Sequence, residues 1–232
     1  MVETAMIKVF ASDQLWRIVN DCLQIWGGKG FFTDQPFERM MRDARLNLIG
    51  EGANDVMRAV IAAVGFRHVS RDLESMLKPG NWLKVPGAVL AKANVPVRHE
   101  HMRFHSRNLS SQIGKFGWAI KTLLAKYREG AIEEQLPQMR LADIATELFM
   151  ASCVYSRLSS VMNNGTIPES IKNHEVKTGV LYLKLAKQRN ERRFDELKLN
   201  FDEELIDVAD SWLESKFDKD WVVVPQEEEI GQ

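Results

Sequence analysis

The sequence predicts an all-α protein, a helical bundle followed by a second helical bundle. Two observations carry this. Apolar residues recur at helical spacing through most of the 232 residues. The breaks between those stretches are short and marked by Gly, Pro or Asn, the pattern of bundle helices joined by tight loops.

Residues 3–25 read as the first helix, with Met6, Val9, Phe10, Leu15, Trp16, Val19, Cys22 and Leu23 at helical spacing. Gly27, Gly28 and Gly30 stop it. Pro36 suits the first turn of a shorter helix over 37–48. The dense charge of that helix (Glu38, Arg39, Arg42, Asp43, Arg45) reads as a solvated face with local ion pairs. A third helix is predicted over 53–66, with Val56, Met57, Val60, Ile61 and Val64. Residues 70–97, rich in Pro, Gly and Lys, form the best linker. A loop packed over the protein's own core is favoured there over a hairpin lying on a membrane, which the mix of Trp82, aliphatics and lysines also suits.

The remainder repeats the helical pattern. Leu109, Ile113, Phe116, Ile120, Leu123 and Tyr127 form one amphipathic stripe, which Gly130 ends. Residues 132–162 carry the next, from Ile132 to Met162, closed by Asn163-Asn164-Gly165. Pro168 opens another, with Ile171, Val176, Val180, Leu183 and Ala186 inward. Phe201 to Phe217 makes a last short helix, and the acidic end reads as disordered. The implied organisation is 1–69, a linker or membrane-associating hairpin at 70–97, a second helical domain at 98–218 and a tail at 219–232.

The length suffices for one or two domains with cores of their own. Apolar content of 45% and charged content of 27% are ordinary for a soluble globular protein. A net charge of −1 leaves no electrostatic footprint for nucleic acid. No apolar run approaches the roughly 20 residues that span a bilayer, and the first residues do not read as a signal peptide. Cys22 and Cys153 read as buried reduced thiols. His99, His101 and His105 lack a further ligand at a convincing spacing, so a surface cluster is preferred to a metal site. The basic run 187–193 is followed by acidic residues and reads as a solvated face.

The functional signal lies in residues 24–58. Gly50 and Gly52 flank Glu51 and free the backbone on both sides of one carboxylate, just before a helix. Burial at a helix start would restrict water and fix geometry, which suits a general base. Taken alone, a glutamate at a helix start is better explained by the macrodipole.

Gln24-x-x-Gly27-Gly28, Arg42-Asp43-Ala44-Arg45 and Glu51-Gly52-Ala53-Asn54-Asp55, in that order and spacing, resemble the C-terminal helical domain of the acyl-CoA dehydrogenases. The resemblance implies that Glu51 removes the α-proton of an acyl-CoA, of long chain, while a hydride leaves the β-carbon for FAD. It implies that Gly52 lies against the thioester end of the substrate. The backbone of Ala53, Asn54 and Asp55 would touch FAD, and Gln24, Ile25, Trp26, Gly27 and Gly28 would meet the FAD of a neighbouring subunit. The family has Thr where this chain has Ala53, which removes one side-chain hydrogen bond worth about 1 kcal/mol. Arg42 to Arg45 is implied to be structural.

The part from Val97 onward resembles, more loosely, the helical appendage of the very-long-chain members, which a hairpin implicated in membrane attachment precedes. The family's N-terminal helical domain and middle β-domain have no counterpart here. The chain is thus expected to be the C-terminal portion of a longer enzyme, inactive alone and at most a weak binder of FAD. The implied partners are acyl-CoA, further copies of the chain or a complementing N-terminal chain, and electron-transfer flavoprotein. Apolar surface on residues 3–25 and 53–66 should then be exposed in isolation. The implied compartment is the cytoplasm or the mitochondrial matrix, and peripheral membrane contact through 70–97 is the less favoured addition. The competing expectation is a non-enzymatic helical module that binds a partner protein or a membrane.

Overall fold

A computed structural model describes residues 1–77 and 93–214. The hairpin expected within 70–97 and the acidic tail lie largely outside the described residues. These contain seven α-helices: α1 (Val2–Trp26), α2 (Phe37–Asn47), α3 (Asn54–Leu77), α4 (Arg103–Tyr127), α5 (Gln135–Asn163), α6 (Glu169–Glu196) and α7 (Asp202–Glu214). They fall into two compact units, the first Met1–Leu197 and the second beginning at Lys198.

α1 ends where Gly27 takes φ +60, a conformation that costs a side chain but not glycine. A 3-10 turn, Gly27–Phe31, follows. A Cβ on Gly30 would lie 2.9 Å from Trp26 Cβ, so this turn packs tightly back on α1. Pro36 sits at the N-cap of α2 with φ −76, close to the value its ring imposes. α3 runs on to Leu77, well past the predicted end at residue 66. No Gly or Pro interrupts Phe66 to Leu77, so nothing in that stretch stops the helix before Pro79. α4 ends at Tyr127, through Arg128 at φ +51, three residues before the predicted stop at Gly130.

Three packed clusters hold the first unit together. Ala5 and Val9 of α1 meet Ile61 of α3 and Ala142 of α5. Ala62 and Phe66 of α3 meet Ile120 and Leu123 of α4 and Leu141 of α5. The third cluster joins α4, α5 and α6 through Leu109, Ile144, Leu148, Tyr155, Leu158 and Leu183. Here the α5–α6 approach is close: a Cβ on Gly179 would lie 2.6 Å from Leu158 Cδ2. The extended segment before α4 is pinned on the bundle, because Ser106 Oγ donates to Val95 O at 2.6 Å and Tyr155 OH donates to Pro96 O at 2.8 Å.

A polar centre crosses the same layer. Glu147 of α5 is buried, yet accepts hydrogen bonds from Arg189 Nη2 at 2.7 Å, Arg189 Nε at 2.9 Å and Tyr182 OH at 2.8 Å, with Arg193 Nη1 at 3.4 Å. Burial pushes the Glu147 carboxyl up, but Arg189, Tyr182 and Arg193 outweigh it and hold the carboxyl below the ordinary range. Burial and the Glu147 charge raise the Tyr182 phenol, which therefore stays a donor.

Several core expectations are corrected. Ile132 and Ile171 are exposed, each lying at a loop-proximal end where the bundle no longer covers them. Cys153 is exposed and Cys22 half-buried, and both are free thiols. Position 153 falls between the inward positions Ala151 and Tyr155 and so points off the core face of α5. In the second unit, Asn200 Oδ1 accepts from the N–H of Asp202 at the start of α7, and Leu205, Val208, Trp212 and Leu213 are exposed.

Apolar side chains also face outward on the first three helices. Ile7, Ile18 and Ile25 on α1, Leu46 on α2, and Val56 and Val60 on α3 are all exposed. This is the unpartnered surface expected for residues 3–25 and 53–66. Among the described residues no helix is long and apolar enough to cross a membrane.

Candidate functional site

The Gly50–Ala53 turn joins α2 to α3, and its backbone is strained at one residue. Glu51 has φ +56, and Gly52 has φ +94. Glycine takes such a value freely, whereas a glutamate there costs about 1–2 kcal/mol. A Cβ on Gly52 would also collide with Met57 Cε. The Glu51 side chain is exposed, which corrects the expectation of a buried carboxylate. The physical reason is local: the left-handed turn stands clear of the α1–α3 contact that buries Asn54.

The turn is held from below by a network that sequence reading missed. Lys8 Nζ of α1 donates to Gly52 O at 2.7 Å and to Asn54 Oδ1 at 2.6 Å. Asn54 Nδ2 donates to Ser12 Oγ at 2.9 Å and to Asp13 Oδ1 at 2.8 Å. The Ser12 hydroxyl in turn donates to Lys8 O at 2.8 Å. Arg58 of α3 pairs with Asp13 at 2.6 Å and with Asp143 of α5 at 2.8 Å. Burial lowers the Arg58 pKa, but Asp143 and Asp13 outweigh it and the net shift is upward, so it remains a fixed cation. Lys8, Ser12 and Asp13 thus clamp the turn to α1, and Arg58 ties the clamp to α5. The available signal was polar residues at i, i+4 and i+5 beside the apolar stripe of α1.

Asn54 carries the clamp. It is buried, its side chain is fully engaged, and its N–H donates to Leu48 O at 2.9 Å. Asn54→Ala is expected to cost about 2–3 kcal/mol, since it leaves the Lys8 ammonium and the Asp13 carboxylate short of partners. Chemical denaturation of the two chains checks this, and a loss under roughly 0.5 kcal/mol would show that the clamp is not structural.

The other predicted residues divide in two. Ala53 closes the turn before Asn54, and Asp55 follows it in the first turn of α3, exposed and 3.7 Å from Arg58. Gln24, Ile25, Trp26, Gly27 and Gly28 form the far end of α1 and the turn after it, and all are exposed. With 1.5 Å of rise per residue, Gln24 lies about 16 Å along α1 from Asp13. One chain therefore presents two separate surfaces. A Cβ at Gly27 or Gly28 would meet nothing within 4 Å, so that backbone is open to close approach. Trp26 packs on Phe37 of α2 with ring centroids 5.2 Å apart. Arg42 pairs with Glu38 on the exposed side of α2, and of Arg42 to Arg45 Ala44 alone is buried. The His99 and His101 rings stack at 5.1 Å, and His105 on α4 packs edge-on against Phe104 at 5.5 Å.

The all-α fold and the sequence both match known proteins. The domain family "Acyl-CoA dehydrogenase, C-terminal domain" matches residues 1–66, and "ACAD9/ACADV, C-terminal domain" matches residues 100–216. The very long-chain specific acyl-CoA dehydrogenase of Mus musculus mitochondria is 30% identical over 183 residues, which cover 71% of this chain and 27% of that protein. The corresponding protein of Bos taurus is 30% identical, with 71% of this chain and 28% of that protein covered. An acyl-CoA dehydrogenase of Bacillus anthracis, solved in complex with FAD, has the same fold at a TM-score of 0.69 and 22% identity, covering 84% of this chain and 32% of that one. The chain belongs to the acyl-CoA dehydrogenase family, in the branch that carries the ACAD9/ACADV C-terminal domain. It spans about a quarter of the length of the curated relatives it matches.

Proposed function

We propose that this chain contributes the catalytic base to an FAD-dependent acyl-CoA dehydrogenase acting on long-chain acyl-CoA. The observation that carries the reading is Glu51 itself. A carboxylate stands exposed at φ +56, between two glycines, on a turn whose neighbours are pinned to α1. Strain of this kind persists only where surrounding structure holds it, and it concentrates at functional sites.

In this reading Glu51 takes the α-proton of the thioester. The chemistry that FAD would supply when bound is acceptance of the hydride from the β-carbon. Gly52 has no side chain, so the thioester end can approach the backbone there. Lys8 holds the Gly52 carbonyl, which fixes the Glu51 carboxylate against rotation of the turn. The fit to FAD rests on the open backbone at Gly27 and Gly28 and the exposed Gln24, with Ile25 and Trp26 beside them. Because Gln24–Gly28 and Glu51–Asp55 are separate surfaces, the first set would serve the cofactor of a second subunit. Ala53 and Asp55 would face the first, with the backbone of Asn54 between them. The exposed apolar faces of α1, α2 and α3 are then the surfaces that other copies, or the flavin-binding domains, cover. Covering them would exclude water from the base.

Residues 1–69 form the C-terminal part of the catalytic helical domain in this account, and 98–218 the appendage. The mitochondrial relatives favour the matrix as the compartment, and electron-transfer flavoprotein as the oxidant of the reduced flavin follows from the same family. The chain alone is expected to hold no FAD after gel filtration, and to hold it when co-expressed with the flavin-binding domains of a very-long-chain relative. Flavin absorbance that stays with the chain alone contradicts the division of labour.

Strain at Glu51 gives a second test. Glu51→Gly is expected to raise stability by about 1 kcal/mol while removing the carboxylate. Thermal unfolding of the chain reads the gain, and a loss of stability would show that Glu51 is held by contacts rather than strained.

A further inference from the structure

A cavity of about 360 Å³ lies between α4 and α6, with Ala151 of α5 at its base. No residue of the Glu51 turn lines it. Small-molecule sites begin at about this size. Its walls divide by chemistry. Phe104, Leu109, Ala151 and Leu183 supply apolar surface, and His105, Gln112, Lys184 and Lys187 bring nitrogen.

The lining is cationic. Glu191 is its one carboxylate, and Lys187 holds it at 2.9 Å. Lys184 has no acidic partner among the described residues. Burial and the nearby Lys184 charge lower the pKa of His105, so its ring is neutral at neutral pH and can donate one N–H.

The floor is a donor by construction. Arg193 has only N–H groups, and it donates to Asn190 Oδ1 at 3.3 Å. Asn190, which is 1% exposed, must therefore turn its Nδ2 to Gln112 Oε1, also at 3.3 Å. That fixes the Gln112 amide with its nitrogen directed away from Asn190. Gln112 lines the cavity, and this nitrogen has no protein partner among the described residues. An N–H that is open to solvent can donate to a bound oxygen without giving up a protein hydrogen bond.

We infer that this cavity binds a small organic anion, its charged oxygens on Lys184, Lys187 and the Gln112 amide and its apolar part against Leu109 and Leu183. The site shares no residue with the Glu51 turn or with Gln24–Gly28.

Calorimetric titration of the full chain with phenyl phosphate, benzoate, inorganic phosphate and benzyl alcohol tests this. Phenyl phosphate or benzoate should bind saturably in the millimolar range or tighter, and benzyl alcohol should give no binding heat. The stronger of the two anions identifies the headgroup. Lys184→Ala should weaken that anion about tenfold, and Lys187→Ala similarly. Lys184 is exposed, so its variant should melt with the parent, and the His105 ring resonances should move on saturation of the parent alone. Equal affinity of parent and both lysine variants, or no saturable binding by either organic anion, overturns the assignment. Inorganic phosphate binding as tightly as phenyl phosphate overturns the organic part of it, because the apolar wall would then contribute nothing.

Discussion

Glu51→Gln, in the chain assembled with its flavin-binding domains, is expected to lower turnover by about 10²–10⁴-fold, the range that a positioned general base supplies. The amide has nearly the shape of the carboxylate but does not accept the α-proton. No hydrogen bond of the clamp uses the Glu51 side chain, so the turn should keep its geometry. Acyl-CoA affinity should therefore change by no more than roughly threefold, since the lost interaction exists only on the way to proton transfer. Rapid-mixing measurement of flavin reduction separates the two quantities. A fall in affinity with turnover retained would move the base elsewhere and leave Glu51 as a binding group.

Glu147→Leu is expected to destabilise the first unit by about 3 kcal/mol, near the lower end for breaking a buried ion pair. The reason for the lower end is exposure: the Arg189 and Arg193 side chains are 37% and 22% accessible and can regain water. Tyr182 OH also loses its acceptor. For a chain of this size the loss corresponds to a fall in Tm of about 6–12 °C. The pH dependence has a definite sign. The folded-state pKa of Glu147 lies below its unfolded value of about 4.3, so its stabilising contribution is complete above that value. It is lost as the pH falls through the folded pKa. The difference between parent and Glu147→Leu should thus be constant around neutrality and shrink in acid. A difference that grows in acid would mean that the carboxyl is held protonated in the fold.

The helices were legible because their signal is local. The stripe from Leu109 to Tyr127 shows in the sequence and lies inward in the structure, with Leu109, Ile120 and Leu123 buried. The end of α3 was not legible, because Ser70 to Leu77 sits beside a Pro- and Gly-rich stretch whose breakers begin only at Pro79. Cys153, Ile132 and Ile171 mislead for a related reason: an apolar residue type says nothing of which side of a helix, or how near its end, it lies. Glu51 and its two glycines drew attention as a bare motif. What supports them did not, because Lys8 reaches Asn54 across 46 residues and Arg58 reaches Asp143 across 85. Glu147 sits unremarked beside apolar neighbours, and Arg189 lies 42 residues away. Pairings of that range are set by the packing of α1, α3, α5 and α6, and no local pattern encodes them.

The most direct test of Glu51 is proton exchange at the α-carbon, which needs the base but not the hydride step. The assembled protein is held in D₂O with an acyl-CoA that has no hydrogen on its β-carbon, and deuterium gain is followed by mass spectrometry. The account predicts exchange by the parent and its loss, by about 10²-fold or more, in Glu51→Gln. Exchange that continues at the parent rate in Glu51→Gln would contradict it.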